Sequence, residues 1–590
     1  MLYPIQNNVR NKLDLSGIWN FQIDPEGSGE QQGWFNGLTE SRPIAVPGSW
    51  NEQYEDLFGY LGLAWYVRRT YVPSTWQGQR VFIRVGSANY QGTVYVNGER
   101  IGSHEGGHLP FAFEITQLIR WDAENVIAIS VENELKPTRV PSGNLPSSAM
   151  SMFMSTPRTT FDFYPFAGLH RPVVLYTVPQ THIEDVTVVT DIDGAAGTVQ
   201  VTARLNETLN ARGSVSLSGG AEPLRAELAF ADGVAEVTLR VPNAHLWSDT
   251  DPYLYELTVQ TESDRYTLKV GIRTIAVQGG QILLNGKPVQ LNGYGRHEDF
   301  IASGKGLNLP LMIKDYALMR WTGANSYRTS HYPYSEEEMQ LADCEGFLII
   351  DEIPAVSLQF DTEENVAARL RVCLQQLDEL VARDKNHPSV VMWCVANEPM
   401  PGNFGVGAIG GKAQEDPSHA MGKVFLETLL QRARELDSTR LVTLVTVMGG
   451  PQSWMEKCDV VCMNRYWGWY TLGGELDKAR AALEQELDEV WEMWKRPIIM
   501  TEFGADTMAG MHGHPNVMWT EEYQADYIRF HLDVAAARDY VAGMQVWNFA
   551  DFAAVQSIAR VGGLNMKGVF TRIRTPKMAA HVLREFWVKQ

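Results

Sequence analysis

"VVMWCVANEP", Val390–Pro399, runs through seven apolar residues and then turns abruptly to Asn397, Glu398 and Pro399. An apolar run without alternation suits a strand covered on both faces, as in a parallel sheet. The glutamate stands where that strand stops. Seven more stretches share this grammar: "VQLNGYGRHED" (289–299), "NSYRTSHYP" (325–333), "FLIIDEIP" (347–354), "LVTLVTVM" (441–448), "VVCMNRYWGWY" (460–470), "PIIMTEFGAD" (497–506) and "MQVWNFADF" (544–552). Amphipathic helical stretches such as "EENVAARLRVCLQQLDELVARD" and "DKARAALEQELDEVWEMWK" separate most of them. Eight such strands within about 275 residues predict a (β/α)₈ TIM barrel. Most of the strands end polar or aromatic. The C-terminal strand ends of this barrel form its active-site mouth, so the pattern predicts an enzyme.

Upstream, from about residue 15 to 275, the grammar is short alternating strands such as "QRVFIRV" and "GTVYVNGERIG", the second with Asn97-Gly98 as a hairpin turn. That length is enough for two β-sandwiches, with a break near Pro179. The expected architecture is multidomain: residues 1–179 and 180–274 as sandwiches, 275–590 as the barrel.

The formal charge of −20 disfavours nucleic acid, which needs a basic footprint. No apolar run is long enough for a membrane span. The N-terminal "MLYPIQNNVRNKLDLSG" lacks signal-peptide character, so the expectation is a cytoplasmic protein, or a secreted one whose signal was removed. Five cysteines, an odd number, fit reduced thiols better than a disulfide framework. "GVGAIG" (405–410) follows a Pro-containing loop rather than a strand, which makes it a poor dinucleotide motif, and the nearby Lys412 is not in a P-loop. His512-x-His514 has no obvious third ligand, so no metal is expected.

Glu398 and Glu502 end strands on opposite sides of the mouth. A facing carboxyl pair is the apparatus of glycoside hydrolysis, one group protonating the leaving oxygen and the other attacking the anomeric carbon or activating water. A second feature is the stretch Phe552–Arg584, which carries Arg560, Lys567, Arg572, Arg574, Lys577 and Arg584 but no Asp or Glu. In so acidic a chain two readings stand: a solvated basic surface, or a local pocket for an anion. Arg572, Arg574, Lys577 and Arg584 are the cations expected only to extend the positive surface or to pack near the final helix.

The motifs "LLNGKPVQLNGYGRHED", "RTSHYP", "IDEIP", "RDKNHPSVVMWCVANEP", "NRYWGWY", "TEFGADT" and "VWNFADF" resemble glycoside hydrolase family 2, and within it the β-glucuronidase branch. The resemblance spans essentially the whole chain and keeps the family's order. It implies a sugar-binding-type jelly roll, then an immunoglobulin-like sandwich, then a catalytic barrel. It implies retaining hydrolysis of a small-molecule glucuronide without a cofactor, by a homo-oligomer (dimer or tetramer). The alternatives are a β-galactosidase or β-mannosidase of the same family acting on neutral sugars, or a non-catalytic carbohydrate-binding protein. By motif, Glu398 is the acid/base, Glu502 the nucleophile and Asn397 the holder of the sugar's 2-hydroxyl. Asp162, His331, Tyr466, Tyr470 and Trp547 match pocket-lining residues. Arg560, Asn565 and Lys567 match the signature for the substrate carboxylate. The loop "GGLNMKG" is one residue longer than the bacterial-type pattern "GGNKKG". The quick passage from "IDEIP" into a helix suggests an open mouth that tolerates bulky aglycones.

Overall fold

The computed structural model describes residues 2–143, 157–220, 222–401 and 417–588. The glycine-rich run 405–410 and Lys412 lie outside them.

The N-terminal unit is a jelly-roll sandwich, a six-stranded sheet against a four-stranded one, with strands from Asn11–Asp14 to Val173–Val178. Inward residues alternate along the strands and supply a core that includes Trp19, Phe21, Trp50, Tyr66 and Ile129. Asn97 and Gly98 join Gln91–Val96 to Glu99–Glu105 with φ of 53° and 94°. Positive φ at both positions is what a tight hairpin turn of this hand requires.

The second unit is an immunoglobulin-like sandwich of a three-stranded and a four-stranded sheet, from Ile183–Asp193 to Arg265–Val270. Leu2 and Ile5, at the start of the chain, pack against this second core.

A small antiparallel sheet, 275–289, leads into the barrel. Its Ile282 and Leu284 pack with Leu291, Leu348, Val391 and Leu441, near the starts of barrel strands, and so plug the barrel floor. The barrel closes through eight strands: β1 Leu291–Gly295, β2 Ser326–Arg328, β3 Leu348–Glu352, β4 Val390–Asn397, β5 Leu441–Thr446, β6 Val461–Asn464, β7 Ile498–Glu502 and β8 Val541–Val546. Every residue of β4 is buried, as a strand inside a ring of helices must be.

The helix Glu363–Asp384 shows how the outer ring forms. Thr362 caps it, its side chain accepting from the Asn365 N–H, and Val366, Cys373, Leu377 and Leu380 repeat at helical spacing on the buried face. Between β5 and β6 the ring has only a short 3₁₀ turn, Gln452–Met455. Gly449, Gly450 and Pro451 precede it and break any longer helix there.

The first sandwich is seated on the barrel. Buried ion pairs Arg84–Glu336 at 2.8 Å and Arg171–Glu298 at 3.2 Å span the junction. After the strand Glu124–Glu132 the chain crosses to the barrel mouth. There Tyr164 N–H donates to Ala553 O at 2.9 Å, and the Phe163 ring lies 5.1 Å from His297.

Candidate active site

Two strand ends carry the central acids. Glu502 closes β7, and its oxygens are fixed by two donors. Arg328 Nη2 reaches Oε1 at 2.5 Å and Tyr466 OH reaches Oε2 at 2.6 Å. Glu398 follows β4 directly and has φ of 47°, which turns its side chain away from the strand's regular path. Its Oε1 accepts from Asn464 Nδ2 at 3.0 Å. Asn464 is the register partner of Glu502, so the two acids are neighbours across the mouth.

Their surroundings differ. Glu398 keeps a partly open side by surface area, yet protein packs round its carboxyl deeply enough to desolvate it. That burial, and next the Glu502 charge, push Glu398 up to about 7 against the opposing pull of Asn464, Arg328 and Arg465. Glu502 has a guanidinium and a phenol instead.

Behind them sits a network that includes His331 and Asn397 but is centred on Arg328, which the sequence reading did not single out. Arg328, at the end of β2, is completely buried and also bonds both Glu352 oxygens at 2.9 Å. Burial alone would raise the Glu352 pKa, but Arg328 and then His331 override it and hold Glu352 below the usual carboxylate range. His331 Nδ1 is 2.8 Å from Glu352, its Nε2 is 3.6 Å from Glu502, and its ring stacks on Trp547 at 4.9 Å. Asn397 Oδ1 accepts from Arg328 and Asn464, each at 3.2 Å. Its Nδ2 has no hydrogen bond among the described residues, which leaves a donor for a ligand. Arg328, Glu352 and Asn464 all lie inside or beside the quoted motifs. Their roles were hidden because each acts through a partner on another strand.

A second cluster adjoins the first through the Tyr466 and Tyr470 rings, 5.1 Å apart. Lys567 Nζ donates to Tyr470 OH at 2.8 Å and to Asp506. Arg560 grips Asp162 through Nε at 2.7 Å and Nη2 at 2.5 Å, and Asn565 Nδ2 reaches the same carboxylate at 2.7 Å. Asp506 resists its own burial because Lys567 and Arg560 hold it below the usual carboxylate range. Asp162 comes from the first sandwich, so that domain reaches the mouth.

The acid-free stretch therefore divides. Arg572 pairs with Glu52 and Asp299, Arg574 with Asp315, and Lys577 with Asp551, while Arg584 caps the Trp321 carbonyl. Those four cations hold the fold together. Arg560 and Lys567 face the mouth, but each already has a carboxylate partner, Asp162 or Asp506, both far away in sequence. A lysine ammonium has three donors. Asp506 and Tyr470 use two, so one is left for a substrate anion.

All five cysteines are free, Cys344 exposed and the others buried. His512 is paired with Glu522 at 2.9 Å. Among the described residues no helix is long and apolar enough to cross a membrane.

Comparison with known proteins places these features in a family. The model "Glycosyl hydrolases family 2, sugar binding domain" matches residues 12–179, "Glycosyl hydrolases family 2" matches 181–273, and "Glycosyl hydrolases family 2, TIM barrel domain" matches 275–590. The chain is 39% identical to a beta-glucuronidase of Felis catus, covering all of this chain and 92% of the relative. It is 38% identical to a beta-glucuronidase of Paenibacillus borealis, covering all of this chain and 98% of the relative. Among solved structures, a beta-glucuronidase from an uncultured Clostridium sp. superposes with a TM-score of 0.90 at 37% identity over the full length of both chains. A Ruminococcus gnavus b-glucuronidase in complex with D-glucuronic acid gives 0.89 at 35% identity, covering 99% of each. Because the three family models match in order along the whole length, and the relatives do so end to end, this chain belongs to glycoside hydrolase family 2.

Proposed function

We propose that Glu502 is the nucleophile and Glu398 the acid/base with which this chain hydrolyses β-D-glucuronides. The activity is that of an O-glycoside hydrolase that retains anomeric configuration, releasing D-glucuronate and an alcohol. The observation that carries the role assignment is the unequal setting of the two carboxyls: one fixed by Arg328 and Tyr466, the other pushed up to about 7. At near-neutral pH a carboxyl of that kind still holds a proton to give to the glycosidic oxygen. Glu502 then forms an ester with the anomeric carbon. Esterification removes the Glu502 charge, which had helped to raise Glu398. Glu398 has by then given its proton to the leaving oxygen, and its lowered pKa keeps it ionised, so it can take a proton from the water that attacks the anomeric carbon as the bond to Glu502 breaks.

Asn397 is proposed to hold the 2-hydroxyl through its open Nδ2, with His331 and Trp547 lining the sugar. The uronate is proposed to meet Lys567 and Asn565, with Arg560 and Tyr470 beside them. The complex of the Ruminococcus gnavus relative with D-glucuronic acid supports a uronic acid as ligand. A neutral-sugar reading leaves the third Lys567 donor without an anion. Since Asp506 is buried against Lys567, truncation to Ala leaves a buried charge short of its partner and destabilises the barrel. Lys567→Gln is the cleaner test, because it keeps a donor for Asp506. It is expected to lower kcat/KM on a chromogenic glucuronide by about tenfold to a few hundredfold, the scale of one charged hydrogen bond. Activity on the matching glucoside should hardly change. A constant glucuronide-to-glucoside ratio excludes Lys567 as the reader of the carboxylate.

Asp162 gives a second expected result. Asp162→Ala frees Arg560 and Asn565 from their shared carboxylate. We expect a loss of roughly 1.5–3 kcal/mol of transition-state binding, about tenfold to a hundredfold in kcat/KM. An isolated barrel, 275–590, should be poorer still. Wild-type activity in either would exclude the first domain from the site. The dimer or tetramer implied by the resemblance remains a proposal that light scattering tests.

A further inference from the structure

The far end of the barrel holds a cavity with no part in this chemistry. It has a volume of about 350 Å³ and lies where the second sandwich meets the starts of β4 and β5, opposite the active-site mouth. That is at the small end of the usual range for small-molecule sites, ~300–1,000 Å³. Arg273, Lys385 and Arg440 line it, with the hydroxyl residues Thr190, Ser438 and Thr439, and Asp191 is the one acid in the lining.

The charges there do not balance in the way seen elsewhere in the molecule. Lys385 is paired with Asp185 at 2.5 Å and Arg440 with Asp437 at 2.7 Å. Arg273 is 5% exposed and makes no ion pair among the described residues. Its Nε and Nη2 donate to the carbonyls of Pro388 and Val390, at 3.1 and 2.7 Å. Its Nη1 has no hydrogen-bond partner among the described residues. A buried guanidinium without a counterion is costly. Burial, then the neighbouring Arg440, push Arg273 below the usual arginine range, and the more distant charges of Asp437 and Asp343 offset this only in part. Other deeply buried arginines of this chain, such as Arg296 and Arg328, sit against two carboxylates each.

We propose that this cavity binds a small oxyanion, a phosphate or the phosphate group of a small ester, on Arg273 at the junction of the second sandwich and the barrel floor. The anion supplies the missing counter-charge, and the hydroxyls around it supply further donors. Because it touches both domains, its occupancy stabilises their junction without entering the active site.

Inorganic phosphate, titrated against chloride at constant ionic strength, is the probe. Wild type is expected to show a saturable rise in apparent melting temperature and a heat of binding with a defined Kd. Ser438 is exposed on the cavity rim, so Ser438→Asp should fold, and its added charge should weaken phosphate binding by about tenfold, equal to ~1.4 kcal/mol. Arg273→Gln, if it folds, should abolish the saturable rise. The Ser438→Asp protein should keep its wild-type kcat/KM on a glucuronide, and phosphate bound at the junction should not compete with that substrate. No saturable effect in wild type overturns the proposal. So does an unchanged phosphate Kd in Ser438→Asp, or purely competitive inhibition with the same constant as the thermal effect, which would place the anion at Lys567 instead.

Discussion

Glu502→Gln is expected to lower kcat by on the order of 10⁵–10⁶-fold, the scale of loss when a covalent nucleophile is removed. The loss should be the same for an activated nitrophenyl glucuronide and for an alkyl glucuronide, because no ester forms with either. The fold should survive: Gln is close in volume, its amide oxygen can still accept from Arg328, and its NH2 can donate to the Tyr466 oxygen in place of the bond that the carboxylate now accepts. Near-UV circular dichroism and a melting curve establish that, and single-turnover kinetics measure the rate. A variant that loses much more on the alkyl substrate than on the nitrophenyl one would put the acid, not the nucleophile, at position 502.

Glu398→Gln should fail differently. On alkyl glucuronides the expected loss is ~10²–10⁴-fold, the range of general acid catalysis. A nitrophenolate leaves with little protonation, so its release should stay fast while hydrolysis of the ester, which needs the base, becomes slow. The result is a pre-steady-state burst of nitrophenol followed by slow turnover. If no burst appears, the acid/base assignment is wrong. In the wild-type enzyme, activity should fall as pH rises through about 7, where Glu398 loses its proton. The same group bears on stability. Its pKa in the fold lies above the ordinary value of 4.5, so the native state binds the proton more tightly than the unfolded chain. Stability is then lost as pH climbs from about 4.5 to about 7, by at most ~3 kcal/mol. Glu398→Gln escapes that loss. It should melt higher than wild type at pH 8 and about equally at pH 4.5.

The barrel was legible because each strand is a short apolar run that ends in chemistry, and all eight runs became barrel strands. The fifth helix was not there to be read, since Gly449, Gly450 and Pro451 leave a turn in its place. Glu398 and Glu502 stand at strand ends, where local sequence is informative. Arg328 was quoted within "RTSHYP" and its preceding residues but passed over, since nothing local says that one guanidinium reaches Glu352, Asn397 and Glu502. The basic stretch gave the opposite difficulty. It is one run in sequence, but its cations disperse in space to acids as remote as Glu52, Asp162 and Asp315. Local charge counts cannot see such pairing, because partners hundreds of residues apart are matched only by the fold.

The reach of Asp162 into the mouth also orders events in time. A barrel that has closed and dried its core would already show its helices, its tryptophan burial and its cooperative melting. It would still lack the carboxylate that Arg560 and Asn565 share until the jelly roll docks. Recovery of full catalytic rate after dilution from denaturant should therefore trail recovery of the spectroscopic signals. The lag should respond to whatever slows the meeting of the two domains, so turnover becomes a clock for the last assembly step of the chain.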